Sequence, residues 1–146
     1  MPREQLDFEP GEELLAVARA SFRGAAAASA RSTFALGSNR MRMKAFDVWY
    51  DAAIASGFPI VPPDMVVAAS DRRVLFGRPT FTGRPPARYS SAVGYDEIFD
   101  IACVSHGMLT GVAFVFANGS IVELEAIRGR RLREVATVIE EHLPRR

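Results

Sequence analysis

Asn118-Gly119 separates two apolar runs, GVAFVFA (111–117) and IVELEA (121–126). An Asn-Gly pair between strand-like runs predicts a tight β-hairpin, because a type I′ turn needs positive φ at both central residues. The chain must therefore contain antiparallel neighbours. The first run is nearly all apolar, and the second alternates Val122 and Leu124 with Glu123 and Glu125. Upstream, IFDIACVS (Ile98 to Ser105) sets Phe99, Ile101 and Cys103 on one face and Asp100 on the other, which adds a third strand to the meander. GRRLREVATVIEEHLP then places Leu132, Val135, Ala136, Ile139 and Leu143 on one helical stripe and stops at Pro144.

The first half carries weaker signals of the same kind. Glu13 to Phe22 (ELLAVARASF) reads as a strand, and Pro10-Gly11 before it makes residues 1–11 a loosely held N-terminal arm. Gly24 to Ser32 is a low-complexity stretch whose small side chains offset little of the ordering entropy, so a mobile connection is expected. Ala45, Phe46, Trp49, Ala52 and Ala53 share a helical face, with Ser38 or Asn39 as cap and Gly57 and Pro59 as terminators. Met65 to Ala69 and Val74 to Gly77 flank a polar turn, a second hairpin. Arg78 to Ser91, rich in Gly and Pro, reads as a long loop or irregular edge. Strands gathered in a run with one terminal helix imply an α+β fold, a strongly bent antiparallel sheet plugged by the C-terminal helix, with an additional helix inserted after the first strand. At 146 residues the chain fits one domain, 12–146, behind its arm.

Composition excludes several functions. One Cys (Cys103) permits no internal disulfide, and with two His it cannot supply a clustered zinc site; neither metal nor cofactor is predicted. A net charge of +1 provides no global field for nucleic acid or an anionic membrane, and no nucleic-acid partner is expected. The acidic, polar N-terminus does not resemble a signal peptide, and no apolar run approaches the roughly 18 residues of a membrane span. A cytoplasmic protein is expected, with a membrane-peripheral location as the alternative.

GEELLAVARASF, AASDRRVLFGR, YDEIFDIACV, GVAFVFANGSIVELEA and the final helix together resemble the bacterial pleckstrin-homology-like (PH-like) domains, from about Gly11 to Leu143. The resemblance implies a seven-stranded bent sheet with a C-terminal helix over one opening. It carries over no catalytic residue. The long connection between Phe22 and Met65 departs from the family pattern by interrupting the first hairpin.

The candidate site residues are few. Asp71-Arg72-Arg73 reads first as a solvated turn; its rival is an anion clamp, since Arg72 and Arg73 could hold phosphate bidentately. Arg23, Arg31, Arg40 and Arg42 could extend it to an anionic lipid headgroup, although the region between the first two strands is the neutral GAAAASA stretch. Arg128, Arg130, Arg131 and Arg133 read as surface pairs to Glu123 and Glu125. Phe46, Trp49 and Tyr50 read as helix packing or, alternatively, as a partner-docking face. Cys103 and His106 suggest a nucleophile and base, but on a strand they point to opposite faces, so Cys103 is expected in the core. The resulting expectation is a non-enzymatic binding or scaffolding module, through protein–protein contact or self-association; the alternatives are anionic-lipid binding and, more remotely, a small-molecule enzyme.

Overall fold

The computed structural model of the chain describes residues 7–22, 47, 49–51, 54, 64–80, 86 and 89–144. Within them lie seven strands: β1 (Leu14–Phe22), β2 (Asp64–Ser70), β3 (Arg73–Gly77), β4 (Ser91–Gly94), β5 (Ile98–His106), β6 (Leu109–Phe116) and β7 (Ile121–Ile127). The helix α1 (Arg130–His142) follows. The strands form one antiparallel sheet in the order β4-β3-β2-β1-β7-β6-β5. The predicted α+β architecture, with its antiparallel sheet and C-terminal helix, is thus present.

β1 joins the two halves of the sheet. It pairs with β2 from Leu14↔Ser70 to Ser21↔Asp64, but with β7 only through Ser21↔Glu125 and Phe22↔Leu124. Away from that seam the halves part, and α1 packs Leu132, Val135, Ala136 and Ile139 into the core they enclose. Inward positions alternate as the pleat demands: Ala18, Ala20 and Phe22 on β1, Val112, Phe114 and Phe116 on β6, Val122 and Leu124 on β7. Each large apolar side chain buried there contributes about 1.5–3 kcal/mol.

β2 and β3 are buried on both faces, which explains why they read as apolar runs rather than alternating ones. Met65, Val67, Val74 and Phe76 enter the main core, while Val66, Ala68 and Leu75 form an outer cluster with Tyr89. Phe8 stands edge-on to Tyr89, ring centroids 5.9 Å apart. Residues 7–11 stay exposed but are tied to the sheet by that ring contact and by hydrogen bonds from Arg72 and Arg73; residues 1–6 lie outside the described residues.

Four expectations change. β4 falls within and beyond the stretch read as loop: Ser91–Gly94 is short and small, so it lacks a periodic signal, yet it pairs with β3 from Arg73↔Gly94 to Phe76↔Ser91. The Asn118-Gly119 hairpin exists, but not as a type I′ turn. Gly119 has φ 87 and Asn118 has no positive φ; Gly119 N–H donates to Phe116 O (2.9 Å), and Phe116 N–H donates to Ser120 O (2.9 Å). This is the three-residue connection in which Gly alone takes the left-handed position. In β5 a bulge between Ile98 and Asp100 turns Phe99 outward, so Ile98 and Ile101 point inward instead of Phe99, Ile101 and Cys103. Cys103 is exposed, not a core residue, because β5 is the last strand and nothing described flanks its outer side.

Asp47, residues 49–51 and Ile54 are helical, within the predicted inserted helix. Trp49 is buried in the main core at a centroid distance of 6.4 Å from Phe22. The Ala-rich connection (24–32) lies outside the described residues.

Candidate functional site

Ser-Asp-Arg-Arg at the β2–β3 turn resolves into a clasp on the N-terminal arm. Ser70 Oγ accepts the backbone N–H groups of Arg72 and Arg73 (both 3.1 Å) and donates to Glu12 Oε2 at 2.6 Å. Asp71 Oδ1 accepts Glu13 N–H (2.9 Å), and Asp71 N–H donates to Glu13 O (3.0 Å). Arg73 grips Glu12 with both ends of its fork, Nε to Oε2 at 3.0 Å and Nη2 to Oε1 at 2.9 Å, and reaches Asp7 O at 2.9 Å. Arg72 holds Glu9 Oε2 at 2.9 Å and Pro10 O at 3.0 Å.

The two ion pairs differ in depth. Glu12 and Arg73 side chains are 0% and 17% exposed, whereas Arg72 and Glu9 are 41% and 52% exposed. Burial alone would raise the Glu12 pKa, but hydrogen bonds from Arg73, Ser70 and the Glu9 backbone, with the nearby Arg73 charge, hold it down at about 2. Tyr95 extends the network: its hydroxyl donates to Ser70 O (2.5 Å), and its ring stacks on His142 of α1 at 5.3 Å. Burial, with Asp71 and Glu12 adding negative charge, pushes the Tyr95 hydroxyl up to about 12. The solvated turn that the sequence predicted is thus a turn whose arginines face carboxylates, and a bound phosphate would have to displace Glu9 and Glu12 from them.

The remaining candidates separate. Arg23, Arg31, Arg40, Arg42 and Phe46 lie outside the described residues. Trp49 is buried, and Tyr50 is 38% exposed. On α1, Arg130 pairs with Glu134 (3.7 Å) and Arg133 donates to Ser105 Oγ. Among the described residues no cluster of His, Cys, Asp or Glu could hold a metal, and no helix is long and apolar enough to cross a membrane.

Sequence periodicity missed the most open part of the sheet, the outer edge of β5. Among the described residues no strand pairs with that edge. Ala102, Cys103, Val104 and Ser105 are exposed in succession, so both faces of the strand meet solvent there. Phe99, Val104 and Met108 are each more than half exposed, and no charged residue stands between Ile101 and Ser105. On the outer face, Ala102, Gly111 and Ala113 floor a groove of about 310 Å³ beside Val104 and Leu109. The bulge at Phe99 is the feature that carries β5 out of the alternation its sequence suggests.

No protein-family model matches the chain, and no curated protein matches it.

Proposed function

We propose that this chain is a non-enzymatic binding module of PH-like fold, and that its interaction surface is the outer edge of β5. Support for the fold reading comes from the antiparallel seven-strand order with a helix packed into the opening. Support for the surface comes from one observation: β5 is a nine-residue edge strand with a run of uncharged, exposed residues. Edge strands of this length and polarity template further pairing, and proteins that do not use them blunt them with Lys, Pro or a covering segment. Ile101 to Ser105 has none of these in its sequence. The occupant is a strand of protein added antiparallel to β5, and a second copy of this chain is the simplest one, since two β5 edges related by a two-fold axis satisfy each other.

Sedimentation equilibrium of wild type and Val104→Lys tests this. A wild-type dimer that the lysine converts to monomer supports the reading. A wild-type monomer over the accessible concentration range overturns self-association through β5.

A further inference from the structure

The described arginines other than Arg78 divide by partner. Arg72, Arg73 and Arg130 each face a carboxylate, and Arg133 is bonded to Ser105. Arg19, Arg128 and Arg131 have no carboxylate partner among the described residues. These three come from β1, from the β7–α1 connection and from the first turn of α1, yet together with Arg130 they line a single cavity of about 560 Å³. No carboxylate among the described residues lines it.

The topology makes this cavity. β1 pairs with β7 only at Ser21 and Phe22, so Val17 to Arg19 stand away from the end of β7, and α1 begins in the gap. The walls behind the arginines are apolar: Val66 and Leu132 are buried, Val17 and Pro79 half-buried. The result is an apolar concavity with a cationic rim, within the size range of small-molecule sites.

Arg19, Arg128 and Arg131 bring three positive charges to one concavity with no carboxylate partner among the described residues, and they repel one another. The first turn of α1 adds to that repulsion, because it contains no acidic residue, no side chain caps it, and Arg130 and Arg131 sit at the positive end of its dipole. A compact dianion would offset both terms, and the planar guanidinium fork matches phosphate oxygens bidentately. We propose that this cavity binds a phosphate monoester, with Arg19, Arg128 and Arg131 on the phosphate and the organic portion against Val17, Val66 and Leu132. The chemistry is shared by a soluble phosphomonoester and by the headgroup of phosphatidic acid. The site is separate from the β5 edge and does not depend on it.

Calorimetric titration with inorganic phosphate and phenyl phosphate, at matched ionic strength in chloride, is run beside sedimentation with vesicles of phosphatidylcholine alone or containing phosphatidic acid. Variants are Arg19→Gln, Arg131→Gln and, as a charge-matched control outside the cavity, Arg72→Gln. Saturable phenyl phosphate binding, tighter than that of inorganic phosphate, identifies a soluble ligand; sedimentation with phosphatidic acid vesicles only identifies the headgroup. In either case Arg19→Gln and Arg131→Gln each weaken binding about tenfold, as expected for one charge-assisted hydrogen bond, and Arg72→Gln leaves it unchanged. Absence of binding to every probe, or binding weakened equally by all three variants, overturns the proposal.

Discussion

Glu12 is the residue on which acid stability turns. Its folded pKa of about 2 lies below the ordinary value of 4.5, so its contribution is complete above about pH 4.5 and is lost as pH falls toward 2. The shift corresponds to about 3 kcal/mol. Acid unfolding of wild type followed by circular dichroism should therefore show a loss of stability in that window, and Glu12→Gln should flatten it. Arg73→Ala should be worse than Glu12→Gln at pH 7, by about 3–5 kcal/mol relative to wild type in urea titration, because it strands a shielded carboxylate. Tyr89 predicts the opposite sign. Its hydroxyl is buried with no hydrogen-bond partner among the described residues, and burial pushes its pKa up to about 12. Tyr89→Phe should leave stability unchanged or raise it by about 1 kcal/mol. Gly129 is fixed by space: a Cβ there would lie 2.6 Å from Thr110 Cβ, so Gly129→Ala should cost about 1–3 kcal/mol, partly recovered by Thr110→Ala.

At the scale of elements, legibility followed periodicity. The stripe of α1 and the alternation of β7 could be read because each buries one face against a single core. The β2–β3 hairpin was placed by its Asp71 turn, but its double burial depends on Tyr89 and Phe8, which arrive from distant sequence. β4 was illegible because four small residues carry no pattern of their own; β3 supplies the partner that makes them a strand. β5 was misassigned face by face because a bulge shifts the alternation without leaving a Gly or Pro to mark it. The candidate sites were less legible still. Arg72 and Arg73 drew notice by adjacency, but their carboxylates lie some sixty residues away, |i−j| = 63 for Glu9 and 61 for Glu12. Arg19 on β1 and Arg131 on α1 line the same cavity, a juxtaposition that no sequence spacing announces. For β5 itself, Val104→Lys should shift the unfolding midpoint little, within about 0.5 kcal/mol, because Val104 is 51% exposed; a folded monomer then isolates association from folding.

At the scale of the molecule, the arm, the sheet and the helix are joined through the clasp. Arg73 and Arg72 hold Asp7 to Pro10, Ser70 links the clasp to Tyr95, and Tyr95 rests on His142 near the end of α1. Deleting residues 1–10 should thus do more than shorten the chain: it removes Phe8 from Tyr89 and Glu9 from Arg72. A loss of about 1–3 kcal/mol in denaturant unfolding is expected, with hydrogen exchange rising along β2 and β3 rather than at the N-terminus alone.

The same clasp sets an order of events during synthesis. Glu12 leaves the ribosome 61 residues before Arg73, and a shielded carboxylate cannot be accommodated until its guanidinium arrives. The β2–β3 hairpin closes on local contacts within microseconds. The arm residues are therefore fixed only after the hairpin exists, and a nascent chain halted before Arg73 has a β1 whose neighbour β2 lacks β3 and whose other neighbour, β7, is not yet made.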